Sequence, residues 1–333
     1  MPAPSELLLG KHVRGNDCAF LFVSESCNLS CRHCYVSAFP GKGKHMQMPV
    51  VEKALQVFAA LGITDLRLTG GEPTVHPQFC DIAKMGVDAG FEVRIISNGI
   101  RPLRDDWVPV ASMISKTWIS VYGLDSASHK ITGGHAAKPL TDTIRDVVAR
   151  QNDGHWIGIS AVISPSDSVR LEEFINRCHA AGIKRLRFIP LQPDGRAQAI
   201  DGLKWVTWPS EIATLIRKIE AHPFAQRFEV LSVSNLFDHN REYANPRESC
   251  ALKERKMWAV VPNGDVYPCC FTAYRAENRV TNILESDWRE KMSPEQAFLN
   301  GSSNCRGLNP DFWLPASVDR VSCPVRALNC HAG

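Results

Sequence analysis

From about residue 18 to residue 192 the chain alternates two apolar patterns. Short runs rich in Val, Ile, Leu and aromatic residues read as strands: FLFVSES from Phe20, DLRLTGG from Asp65, FEVRIISN from Phe91, TWISVYG from Thr117, HWIGISAVIS from His155 and RLRFIPLQ from Arg185. Between them lie amphipathic stretches with helical spacing: PVVEKALQVFAALG from Pro49, PQFCDIAKMGVDAG from Pro77, PLRDDWVPVASMI from Pro102, PLTDTIRDVVARQN from Pro139 and SVRLEEFINRCHAAG from Ser168. Several begin at a proline and two end in Ala-Gly, which are helix start and stop signals. Six strand–helix units in series predict an α/β fold with a parallel sheet. Six are too few for a closed eight-stranded barrel, so an open partial barrel and a doubly wound sheet both fit.

Past residue 192 the rhythm changes. Residues 205–221 read as one more helix, and the text then becomes irregular and rich in cysteine. Within it KMWAVVPNGDVYPCC, from Lys256, reads as a β-hairpin turning at Asn263-Gly264. This divides the chain into residues 1–225, the strand–helix domain, and residues 226–333, a small cysteine-rich domain.

Composition narrows the class. The chain has 333 residues, 44% of them apolar and 22% charged, as in globular proteins. A formal charge of +3 is too small to argue for nucleic acid or an anionic membrane as partner. No apolar run is long enough to span a bilayer, and the first residues lack a signal-peptide pattern. The expected location is the cytoplasm, where thiols stay reduced. Twelve cysteines there point to metal ligation rather than to a disulfide framework.

Three of the twelve, Cys27, Cys31 and Cys34, follow the first strand at its C-terminal end, where parallel α/β proteins place their chemistry. A closed zinc site wants a fourth Cys or His, and neither His33 nor His45 completes a standard pair with this spacing. Three thiolates on an iron–sulfur cube leave one iron open. Further candidates end the next strands in order: Gly70, Gly71 and Glu72 in LTGGEPT, Ser97 and Asn98 in IISNG, Ser120 in WISVYG, and Arg196 in PDGRA.

This ordered set resembles the radical S-adenosylmethionine (SAM) superfamily over about residues 18–200. The resemblance implies a partial (βα)6 barrel and a [4Fe-4S] cluster on Cys27, Cys31 and Cys34, with His33 at the usual aromatic position. It implies that SAM fills the open iron site and contacts Gly70, Gly71, Glu72, Ser97, Asn98, Ser120 and Arg196. The Gly-Gly-Glu segment would meet the SAM amino group.

The late cysteines resemble the SPASM and twitch auxiliary-cluster domains, in which a hairpin presents ligands. Cys250, Cys269, Cys323 and Cys330 are the expected ligands of one auxiliary [4Fe-4S] cluster, with Cys270 or Cys305 as substitutes. Cys18, Cys80 and Cys178 are expected in the core. The resemblance further implies an external one-electron reductant of flavodoxin or ferredoxin type, and a radical that abstracts hydrogen from an unactivated C–H bond. An auxiliary cluster that takes up the substrate's electron would make the reaction a dehydrogenation. A thiol that returns hydrogen, Cys250 or Cys178, would make it an epimerisation. Because the first motif begins at Cys27, a small polar substrate is expected: a sugar, aminocyclitol or aminoglycoside alcohol, as in antibiotic biosynthesis. A peptide-modifying maturase is the alternative.

Overall fold

The computed structural model describes residues 17–41, 43–100, 111–122, 140–164, 170–191, 194–200, 214–215, 217–219, 221–224, 228–230 and 257–292. The expected helix over PLRDDWVPVASMI lies mostly outside these residues, as do Cys250, Cys305, Cys323 and Cys330.

All six expected strands form: β1 (Cys18–Ser24), β2 (Asp65–Gly70), β3 (Glu92–Ser97), β4 (Lys116–Tyr122), β5 (Ile157–Ile163) and β6 (Leu186–Pro190). They pair in parallel in sequence order. Four helices join them: α1 (Met48–Ala60), α2 (Phe79–Asp88), α3 (Leu140–Asn152) and α4 (Leu171–Ala180). The sheet runs on at both edges. A short β7 (Phe228–Val230) pairs in parallel with β6. On the other edge β8 (Met257–Val260) pairs in parallel with β1, and β9 (Asp265–Tyr267) and β10 (Thr281–Asn282) follow antiparallel. The chain's described part ends with a one-turn helix, α5 (Trp288–Lys291). No pairing closes β7 onto β10 among the described residues, so the ten strands form an open, mostly parallel sheet, as a partial barrel requires.

Alternation along each strand sorts the side chains to two faces. Ala19, Leu21 and Val23 of β1 pack with Leu66, Leu68, Val93 and Ile95 against α1 and α2. Ile119, Ile157, Ile159, Ala161 and Phe188 do the same against α3 and α4. Each large apolar side chain so buried contributes roughly 1.5–3 kcal/mol. All four helices stop alike. Gly62, Gly90, Gly154 and Gly182 take positive φ just past the helix. The next residue's N–H then bonds five residues back: Ile63 to Phe58, Phe91 to Gly86, His155 to Arg150, Ile183 to Cys178. This is the Schellman stop, and it feeds each helix into its next strand at the N-terminal rim of the sheet.

The hairpin forms as expected at Asn263-Gly264. Its first strand, β8, extends the same sheet beside β1. Cys18 is buried as expected. Cys80 is not: it is exposed, one helical position around from buried Phe79.

Candidate functional site

The site is assembled where β1 leaves the sheet. Register along β1 and β2 slips between Phe22, opposite Thr69, and Ser24, opposite Gly70. This irregularity swings Ser24–Ser26 across the end of β2, where Gly71 N–H donates to Ser24 O at 2.7 Å and Glu72 N–H to Ser26 O at 3.0 Å. The approach is so close that a Cβ on Gly70 would strike Ser24 O, and one on Gly71 would strike Ser26 O and come within 2.7 Å of Ala38 Cβ. The paired glycines are therefore dictated by backbone contact with the cysteine loop.

Cys27 and Cys31 are 8% and 7% exposed, and Cys34 is partly exposed. Two sulfurs receive backbone donors: Leu29 N–H to Cys27 Sγ at 3.3 Å and Ala38 N–H to Cys34 Sγ at 3.4 Å. Burial pushes Cys27 up to about 12, with added repulsion from Glu72 and Cys34. Burial, then Cys27 and Cys34, push Cys31 to about 12 as well. The three thiols thus lie within electrostatic reach of each other, and in the protein alone Cys27 and Cys31 stay protonated at pH 7. A bound cation reverses that preference. Among the described residues no three His, Cys, Asp or Glu side chains converge as one ion requires. A cluster sets each thiolate on a different iron, so spread thiols carrying N–H···S bonds fit a cluster better than a zinc ion.

Glu72 is 1% exposed. Its Oε1 accepts from Thr74 Oγ1 at 2.7 Å, Thr74 N–H at 3.2 Å and Ser97 Oγ at 2.8 Å, and its Oε2 accepts from Asn98 N–H at 2.7 Å. Burial raises its carboxyl above the ordinary range against these donors. The carboxylate thus ties the ends of β2 and β3 together. Asn98 carries the tie onward: its Nδ2 donates to Asn28 Oδ1 at 2.6 Å and reaches Cys27 Sγ at 3.9 Å.

Arg196 closes the loop from the other side. Its Nε donates to Cys31 O at 2.8 Å, a guanidinium nitrogen to Ala38 O at 2.7 Å, and its backbone N–H to Cys34 O at 3.0 Å. Arg196 thus clamps the cysteine loop's own backbone. Burial and the Arg196 charge together lower His33 to about 4, so this ring is neutral at pH 7. Beside Arg196, buried Asp194 pairs with Arg275, which follows the hairpin. Tyr35 meets Phe271 with ring centroids 6.1 Å apart, and Phe22 meets Tyr274 edge-on at 5.7 Å. Cys269 and Cys270 lie in this same cluster with Tyr35 and Val36. Cys269 is partly exposed and Cys270 buried.

Ser120, partly exposed, stands level with Ser160, and Ser160 with Arg187. Arg187 is buried, donates Nε to Ser160 Oγ at 3.2 Å and lies 4.3 Å over the Trp118 ring; its register partner on β7 is Glu229. Sequence reasoning missed Asn28, Ser160, Arg187 and Asp194. An arginine or serine inside an otherwise apolar strand was the available signal for Arg187 and Ser160; Asn28 and Asp194 carried none. Cys178 is corrected as a hydrogen donor. It is 1% exposed in the core under α4, with the side chains of Ile159 and Phe188 on the helix-covered face of the sheet, and burial raises it to about 12.

Residues 21–168 match the model of the Radical SAM superfamily. The chain is 24% identical over 268 residues to the sporulation killing factor maturation protein SkfB of Bacillus subtilis, covering 78% of this chain and 62% of that protein. It is 22% identical over 335 residues to the mycofactocin maturase MftC of Mycobacterium tuberculosis, covering 92% and 82%. In fold it is similar to Streptococcus suis SuiB bound to S-adenosylmethionine, with a TM-score of 0.66 at 14% identity, over 88% of this chain and 71% of that one.

Proposed function

We propose that the chain is a radical SAM enzyme that modifies a peptide at an unactivated C–H position. The observation that carries the first half is the bonding of Asn98. Through it Glu72, Ser97 and Cys27, distant in sequence, enter one hydrogen-bonded unit at adjacent strand ends. A bound iron–sulfur cluster and SAM supply a one-electron cleavage that leaves an adenosyl radical able to abstract hydrogen. The chain's own residues do the rest. Cys27, Cys31 and Cys34 hold the cluster, Leu29 and Ala38 steady two of the sulfurs, and Arg196 fixes the loop. Gly70, Gly71, Glu72, Ser97, Asn98 and Ser120, on successive strand ends, would receive SAM, with His33 in the cysteine loop next to Cys34 in sequence.

The peptide substrate is carried by the relatives, two of which are named as maturation enzymes. It replaces the sugar or aminocyclitol alcohol as the first reading. Cys269 beside Tyr35 favours a second cluster close to the first, and with it an oxidative outcome. Anaerobic reconstitution tests the cofactor: about four irons per chain mark one cube and about eight mark two, and a colourless zinc protein overturns the reading. SAM cleavage is then followed by mass spectrometry with short peptides and with a panel of aminoglycosides. A mass change in a peptide supports the proposal. A two-dalton loss from an aminoglycoside instead assigns the alcohol class.

A further inference from the structure

Past the hairpin, one residue carries two costs to the fold. The chain turns at Thr272–Arg275, where Arg275 N–H donates to Thr272 O at 3.2 Å. Ala273, second in this turn, has φ −55° and ψ 142°, and Tyr274, third, has φ +68°. Such angles belong to a type II turn, whose third position favours glycine or asparagine. A tyrosine there holds the left-handed region against its own Cβ. Tyr274 and Ser37, in the cysteine loop, are the two non-glycine residues with positive φ among the described residues. The second cost is polar. The Tyr274 hydroxyl oxygen is buried and has no hydrogen-bond partner among the described residues. Buried tyrosine hydroxyls ordinarily find one.

This residue stands at the C-terminal rim. Its ring meets Phe22 near the end of β1 and joins the apolar cluster that includes Tyr35 and Val36 of the cysteine loop. The turn is pinned on both sides. Thr272 Oγ1 donates to Cys269 O at 2.9 Å, and Arg275 pairs with buried Asp194, two residues before Arg196. Surroundings that over-determine a strained backbone in this way are what allow it to persist. Burial, then Glu25 and Tyr267, hold the phenol well above its ordinary range, so it is a neutral donor. The Glu25 charge also disfavours an anionic acceptor there, which leaves a neutral carbonyl.

Resting on the reading above, we infer that Tyr274 is a substrate-binding residue: its hydroxyl donates a hydrogen bond to a backbone carbonyl of the peptide held at the C-terminal rim. The residue as a whole is partly exposed, so rotation about its own side-chain torsions carries the hydroxyl out of the apolar cluster. A bound peptide supplies the acceptor that the fold withholds, and the cost carried by the free enzyme is recovered on binding. Stability alone would place glycine in the turn and phenylalanine in the cluster; tyrosine trades some of it for recognition.

The test compares wild type with Tyr274→Phe, both reconstituted anaerobically. The free variant is expected to unfold in urea at the wild-type midpoint or above it. A lower midpoint means that the hydroxyl already serves the fold, and it overturns the inference. The probe is a capped pentapeptide that the wild type modifies, drawn from an equimolar library. Its affinity, read by calorimetry with SAM present, falls about tenfold in Tyr274→Phe. Exchanging its backbone carbonyls one at a time for thiocarbonyls, which are weaker acceptors, weakens binding to the wild type at one position. The same exchange leaves binding to the variant as it was. Equal peptide affinity in the two proteins, or a loss of SAM affinity in its place, overturns the inference and leaves the proposed function standing. A wild type that modifies no member of the library overturns the proposed peptide substrate, and this assignment with it.

Discussion

Arg196 makes three bonds to carbonyls of one loop, one from its backbone N–H and two from its guanidinium, whose planar fork reaches two carbonyls at once. A lysine there reaches one carbonyl as a point charge. Arg196→Lys is expected to keep the fold by circular dichroism, to lose roughly 1–3 kcal/mol of loop ordering, and to retain less iron after reconstitution. Protection of the Cys31–Ala38 amides from hydrogen exchange measures the first loss and iron analysis the second. Glu72 presents the reverse case, an acceptor met only by donors: Thr74 twice, Ser97 and Asn98. Glu72→Gln turns an NH2 toward one of them. The expected cost is about 1–3 kcal/mol, seen as a lower denaturant midpoint with the slope unchanged. The residue types at this site were legible in the sequence, because cysteine spacing and Gly-Gly-Glu are local patterns. Their partners were not. Asn28 and Asp194 are ordinary polar residues until the fold sets them beside Asn98 and Arg275.

Among the elements, the six strands and four of the helices followed from periodicity alone, since strand alternation and helix stops are written within a few residues. The pairing of β8 with β1 was not legible, because no local pattern states which edge a distant hairpin joins. That hairpin is held by a charged clasp. Arg279 bonds Asp265 at 2.6 Å and Glu285 at 2.7 Å, and Lys291 bonds Glu285 at 3.2 Å. Hydrogen bonds from Arg279, Lys291 and Thr281 lower exposed Glu285 from 4.5 to about 2. Burial opposes ionisation of Asp265, but bonds from Arg279, Asn282 and Asn263 outweigh it and lower it too. A depressed folded value means stability that is complete above 4.5 and lost as pH falls toward about 2. Hydrogen exchange of the β9 and β10 amides is expected to quicken across that window, and to do so less steeply in Arg279→Gln or at high salt.

For the molecule as a whole, the sheet has two unlike rims. The N-terminal rim carries the four repeated helix stops, and the C-terminal rim carries every candidate residue from Cys27 to Arg196. Stability and chemistry are thus separable by position. A chain truncated before Met257 keeps the cysteine loop and the β2–β6 ladders but uncovers the edge of β1. It is expected to elute as an aggregate in size-exclusion chromatography, whereas a cut after Lys291 leaves that edge covered. The same ladder orders events during synthesis. β1 is the first described strand to leave the ribosome, and its neighbour on one side emerges only after all the others in the barrel. Until then the loop that bears Cys27, Cys31 and Cys34 is tethered to a half-built strand. A cell that loads metal onto this loop does so most safely on a finished chain.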